Sequence, residues 1–174
     1  MESGQHGNQA EKWKGKATTE VIGCKADQVW LLLEDFFGLD KWFPTLSTCL
    51  PVQGISGQPG CVRFCAGFKT PVDGHDKQTM NWTKQKLLSI DPTNRTFTYS
   101  IIDGNVGFYS YVSIWKVLPK EDASDSCVIE WLYEVEPVEG WRLEDLDFFT
   151  ASGLKVVGER IQVALKVMEE ACRA

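Results

Sequence analysis

The feature that most constrains this chain is the apolar stripe that ends it. Leu143, Leu146, Phe149, Gly153, Val157, Ile161, Ala164, Leu165 and Met168 recur at helical spacing, with Lys155, Glu159, Lys166 and Glu170 off the stripe. A helix of that length with one broad apolar face must be covered by something wide. The chain offers one candidate cover. Between Pro44 and Pro137 the punctuation is that of strands, which the spacing predicts over Ser47–Gly54, Cys61–Phe68, Gln78–Ile90, Arg95–Asp103, Phe108–Leu118 and Cys127–Glu136. Ahead of them lie a first strand, Trp13–Val21, a helix over Lys25–Phe37 with apolar Ala26, Val29, Trp30, Leu33 and Phe37, and a short helical piece, Leu39–Phe43. The expected fold class is therefore α+β: an antiparallel sheet wrapped around a long C-terminal helix. Residues 13–174 form a single domain in this reading, and the polar residues 1–12 are expected to be a disordered tail.

A sheet that curls around a helix without touching it throughout leaves a cavity. Periodicity alone leaves a cavity and a filled core equally open. The seven Trp and nine Phe suit either one, since large aromatics line both cores and pockets for apolar ligands. Net charge of −6 excludes nucleic acid and anionic membrane as the main partner, because no basic patch is written. The N-terminal MESGQHGNQAEK lacks the apolar run of a signal peptide and no segment is long and apolar enough to span a membrane, so a soluble cytoplasmic protein is expected. Cys61 and Cys65 lie four apart, while Cys24, Cys49, Cys127 and Cys172 are scattered and His6 and His75 match no zinc spacing. Reduced structural thiols are the reading, with no metal and no cofactor. The sequons at Asn81 and Asn94 carry little weight without a secretory signal. The oligomeric state is not legible.

Alternation says which side chains could line a cavity. Phe97, Tyr99 and Ile101 share one face of their strand, and Ile129, Trp131, Tyr133 and Val135 share another, so Tyr99 and Trp131 point inward. Tyr111 lies on a face with Tyr109, Ser113, Trp115 and Val117, against competing Val112 and Ile114. Arg63 stands at the centre of the strand GCVRFCAGF, with Cys61, Cys65 and Gly67 on its face and Val62, Phe64, Ala66 and Phe68 opposite. Pattern alone puts it outside.

The passages LLEDFFGLDKWFPTLSTC, GCVRFCAGF, WTKQKLLSID, YSIIDGNVGFYSY and EEACRA resemble the plant lachrymatory-factor synthases. That group belongs to the Bet v 1-like, START-related helix-grip superfamily, which also holds polyketide cyclases and abscisic acid receptors. The resemblance runs from about Trp13 to the C-terminus, although the stretch between Gly140 and Phe149 is longer here. It implies a seven-stranded curved antiparallel sheet, a long C-terminal helix, two short helices between strands 1 and 2, and a central cavity for a small apolar ligand. It also implies that Arg63 turns inward to work with Gln85, Tyr99 and Tyr111, with Trp131 on the wall and Leu39 on the helical cap. With Phe149 and Gly153 from the last helix, these residues make the expected ligand site; Arg63, Tyr99 and Tyr111 would be catalytic if the protein is an enzyme. Gln85 departs from the pattern, because the synthases carry an acid there. An amide orients a ligand but moves no proton in the physiological range. A binder of a small metabolite with an oxygen or anionic group, or an altered isomerase or cyclase, is therefore preferred over an active synthase acting on a sulfenic acid. An abscisic acid receptor is disfavoured further: where those receptors carry a Ser-Gly-Leu-Pro gate and a His-Arg-Leu latch, this chain reads Phe68-Lys69-Thr70-Pro71-Val72-Asp73-Gly74 and Asp103-Gly104-Asn105-Val106-Gly107.

Overall fold

The computed structural model describes residues 11–173, so the tail expected over residues 1–12 lies, for residues 1–10, outside the described part. Strands β1 (Trp13–Val21), β2 (Thr48–Gln53), β3 (Val62–Ala66), β4 (Trp82–Asp91), β5 (Thr96–Gly104), β6 (Val112–Lys120) and β7 (Ala123–Val135) form one sheet in the order β1-β7-β6-β5-β4-β3-β2. Every neighbouring pair is antiparallel. Helix α1 (Ala26–Leu33) and a 3-10 helix (Phe36–Lys41) fill the connection from β1 to β2, and helix α2 (Leu143–Arg173) closes the chain. This is the helix-grip fold expected from the sequence.

Bends in the sheet come from identifiable residues. Between β4 and β5 the register shifts twice, at Lys84/Gln85 and at Leu87/Ser89, leaving Ile102 and Leu88 as extra, solvent-facing residues. Such bulges increase local twist and curl the sheet. Helix α2 packs mainly along β1, burying Leu146, Thr150, Gly153, Leu154, Val157, Gly158 and Ile161. Each large apolar side chain covered in this way contributes about 1.5–3 kcal/mol. The stripe ends sooner than its spacing predicts: Met168 is exposed, because β1 ends at Val21 and the next residue, Ile22, already donates to Gln162 of the helix.

Other boundaries also differ from the sequence reading: the short helical piece is Phe36–Lys41 rather than Leu39–Phe43, and β7 starts at Ala123 rather than Cys127. The first helix stops at Leu33 rather than Phe37, because Asp35 leaves helical geometry at ψ 89° before the 3-10 helix begins. That break swings Phe36 into the core and points its carbonyl at β3. The sixth strand starts at Val112 rather than Phe108, because Gly107 and Ser110 take positive φ of 89° and 53° and turn Tyr109 out to solvent.

Candidate functional site

Between the sheet, the 3-10 helix and α2 lies a cavity of about 50 Å³. Its two sides differ in chemistry. Leu39, Phe43 and Leu46 from the cap and Phe149 from α2 make an apolar side, whereas Thr83 and Gln85 of β4, Tyr99 of β5 and Tyr111 beside β6 bring polar atoms from the sheet. Phe68, Phe108, Trp115 and Trp131 complete most of the wall. Leu39, Phe108 and Phe149 are only partly buried and mark the rim.

Arg63 is 2 % exposed, which corrects its outward placement from pattern alone. Alternation fails on β3 because Val62 and Ala66 on the opposite face are buried as well, while the Phe64 ring lies tilted at 30° against that of Trp82. The guanidinium lies behind the cavity wall rather than on it. Its Nε donates to Gln85 Oε1 at 2.7 Å, its NH1 donates to Phe36 O at 2.8 Å, and its carbon sits 3.8 Å above the Phe36 ring and 5.0 Å from that of Tyr99. Among the described residues no carboxylate pairs with it. A buried cation held only by neutral oxygens and ring faces keeps an unspent field directed at whatever touches Gln85.

Gln85 Nε2 donates to Thr83 Oγ1 at 3.1 Å, so the amide is fixed with its oxygen toward Arg63 and its nitrogen along the wall. The Tyr99 and Tyr111 rings lie 6.2 Å apart. Burial first, and then the neighbouring Tyr99, push the Tyr111 hydroxyl well above the ordinary phenol value, although Ser113 and Trp131 pull the other way. At neutral pH Tyr111 is therefore a hydrogen-bond donor and not a phenolate. Trp131 Nε1 donates to Ser113 Oγ at 2.6 Å, and that hydroxyl donates to Leu132 O at 3.2 Å. Trp115, also on the wall, has a buried Nε1 with no partner among the described residues. A buried donor left alone is costly unless something accepts from it.

Of the residues singled out from sequence, Leu39, Gln85, Tyr99, Tyr111, Trp131 and Phe149 come together on the cavity, with Arg63 one layer behind. Gly153 does not reach it. A Cβ there would meet the Phe43 ring at 2.8 Å, so this glycine lets Phe43 pack against α2. Thr83 and Trp115 are wall residues that sequence reasoning passed over, although each shares a strand face with a residue it had chosen, Gln85 and Tyr111. Phe43, Leu46, Cys65, Phe68 and Phe108 were also missed; those on loops carry no periodicity to find them by. No helix among the described residues is long and apolar enough to cross a membrane.

A family model described as polyketide cyclase / dehydrase and lipid transport matches residues 14–165. Among solved structures, the chain is similar to the protein XoxI from Bacillus cereus, with 22% identity, a TM-score of 0.68 and coverage of 90% of this chain and 97% of that one. An uncharacterised protein from Bacillus thuringiensis is 22% identical with a TM-score of 0.65, over 85% and 98% of the two chains. A Thermobifida fusca protein is 19% identical with a TM-score of 0.66, over 85% and 92%. At such identities these structures speak for the fold alone.

Proposed function

Because the chain belongs to the polyketide cyclase / dehydrase and lipid transport family, we propose that its cavity holds a small apolar molecule carrying one oxygen-bearing group. The observation that carries this reading is the asymmetry of the walls. Polar atoms of Gln85, Thr83, Tyr99 and Tyr111 come only from the sheet, the buried charge of Arg63 stands behind Gln85, and the cap side is hydrocarbon. A ligand with a short apolar chain and a sulfoxide, carbonyl or carboxylate oxygen satisfies both sides at once. The oxygen accepts from Tyr111 and Gln85 Nε2, while the chain fills the space under Leu39, Phe43 and Phe149.

Size narrows the class. About 50 Å³ is room for one or two waters and is a third of the roughly 150 Å³ that holds benzene, so a ligand of about four to six non-hydrogen atoms enters only as the partly buried rim of Leu39, Phe108 and Phe149 gives way. Long acyl chains do not fit. Within that class the protein is lachrymatory-factor synthase-like: Arg63, Tyr99 and Tyr111 keep the polar constellation implied by the resemblance, and Gln85 removes its acid. The function that follows is holding a small metabolite, not rearranging it.

Titration of the protein with short-chain sulfoxides and carboxylates, read by the fluorescence of the wall tryptophans, tests this. Probes of three to five carbons are expected to bind, with affinity falling at least about tenfold in Tyr111→Phe. Binding of long-chain fatty acids with no response to the short probes would overturn the reading.

A further inference from the structure

Two thiols stand side by side at one edge of the cavity, and ligand binding leaves them unused. Cys49 of β2 pairs directly with Cys65 of β3, and their sulfurs are 4.0 Å apart. The phase of the ladder decides what such a pair can do. Gly67 N donates to Asn81 O at 2.9 Å and Leu87 N donates to Cys61 O at 2.9 Å, so the odd-numbered residues of β3 turn their backbone groups toward β4. Cys65 therefore offers β2 no backbone hydrogen bond. Cys49 and Cys65 form a non-hydrogen-bonded pair, the kind whose facing Cα atoms come closest, at about 4.5 Å. Pro51, opposite Arg63 in the same register, agrees with this phase, since its missing N–H would point off the sheet edge. That separation lies within the span of a disulfide, and the sulfurs can close by side-chain rotation while both strands stay in place.

The two thiols are also unequal. Cys65 donates to Cys49, which lowers the Cys49 thiol below its ordinary value; the Arg63 charge adds to this and burial opposes it. Cys65, conversely, is pushed well up and keeps its proton. Cys65 belongs to the cavity wall; Cys49 does not touch the cavity, but its sulfur lies 4.0 Å from that of Cys65 and the residue keeps 7 % exposure, an opening suited only to a solute as small as peroxide.

We propose that Cys49 and Cys65 are an oxidation site for hydrogen peroxide, ending in a cross-strand disulfide that pins the edge strand β2 to β3. Cys49 thiolate attacks one peroxide oxygen; an S–O bond forms, the O–O bond breaks, and the departing hydroxide takes up the Cys49 proton as water. The Cys65 sulfur then attacks the Cys49 sulfenic acid; the S–S bond forms, the S–O bond breaks, and the second hydroxide leaves as water with the Cys65 proton. Two thiols are oxidised and one peroxide is reduced to two waters.

The test uses the full chain, treated with peroxide, alkylated after denaturation and digested with trypsin. Cleavage after Lys41, Arg63 and Lys69 puts Cys49 and Cys61 on one peptide and Cys65 on the next, and fragmentation tells the first two apart. The expected result is a Cys49–Cys65 link and the loss of two of the six free thiols, at doses that leave Cys24, Cys61 and Cys127 alkylatable. Cys172→Ser, which removes the exposed thiol, keeps the link, and Cys65→Ser leaves Cys49 as a sulfenic acid that dimedone traps. Oxidation confined to Cys172, a link through Cys61, or Cys49 advancing to sulfinic acid in the wild type with Cys65 unreacted would each overturn the proposal. None of these readouts depends on which ligand the cavity holds.

Discussion

Gln85 is the residue on which the choice between holding and converting a ligand turns. Its amide is locked from both ends, by Arg63 Nε at 2.7 Å and by Thr83 Oγ1 at 3.1 Å. Gln85→Glu keeps nearly the same volume and places a carboxylate beside the guanidinium. The opposite charge then favours the ionised form against the burial that disfavours it. General acid–base groups contribute about 10²–10⁴ in rate, and a misplacement of about an ångström can cost on the order of 10². Supplied with 1-propenesulfenic acid generated in situ, the variant should make lachrymatory sulfoxide at least about tenfold above the wild-type background. Robust synthesis by the wild type would defeat the holding function. How much of this was readable beforehand depended on the strand. On β5 and β7 one face is buried and the other half-buried, so alternation alone placed Tyr99 and Trp131. On β3 both faces are covered, and alternation put Arg63 on the wrong side. Its inward course came only from the resemblance. Trp115 needed coordinates, because an indole without a partner is invisible in a sequence.

At the scale of elements, the connection from β3 to β4 shows where periodicity runs out. Residues 68–81 read as a turn followed by the start of a strand, yet the structure holds them as a loop organised by one carboxylate. Asp73 accepts from Thr70 N, Thr70 Oγ1 and Lys77 Nζ, each at 2.9 Å, and from Asn81 Nδ2 at 3.1 Å. Asn81 Nδ2 also donates to Phe68 O at 2.9 Å, and Phe68 is part of the cavity wall. None of these bonds has a period, so β4 begins at Trp82 and not at Gln78. Burial alone would raise the Asp73 carboxyl, but the Lys77 and Thr70 bonds outweigh it and hold it below the usual value. A carboxyl lowered by folding contributes stability that is fully present above its unfolded value of about 3.9 and is lost as pH falls through the lower folded value. Asp73→Asn is therefore expected to lower stability by about 1 kcal/mol at neutral pH, measured by urea unfolding. The gap between wild type and variant should narrow as pH drops below about 3.9. A gap that persists unchanged into acid would show that the charge of Asp73 is not what holds the loop.

Across the whole molecule, the chain's ends are tied through a glycine. Strand β1 pairs with β7 from Trp13↔Val135 to Val21↔Cys127, so the sheet is complete only when the first strand meets the last. Gly15 lies opposite Tyr133 in that ladder, and a Cβ on Gly15 would sit 2.2 Å from the Tyr133 hydroxyl. The Tyr133 ring occupies that space, and its hydroxyl donates to Asp147 in the first turns of α2. Glycine in a strand normally weakens it, so replacing it by alanine would ordinarily help by about 0.5–1 kcal/mol. Here the sign reverses. Gly15→Ala must move Tyr133 off Asp147, which overpacks a buried ring and strips its hydroxyl of a partner, at a cost of about 2–4 kcal/mol. Tyr133→Leu in the same chain relieves the clash and leaves Asp147 in water, where its carboxylate needs no replacement partner. The double variant should therefore recover most of the stability that Gly15→Ala loses, a non-additivity that urea unfolding of the two singles and the double will measure. Equal stability of Gly15→Ala and wild type would mean that β1, β7 and α2 are not coupled at this point, and that the sheet's grip on its helix rests on the apolar stripe alone.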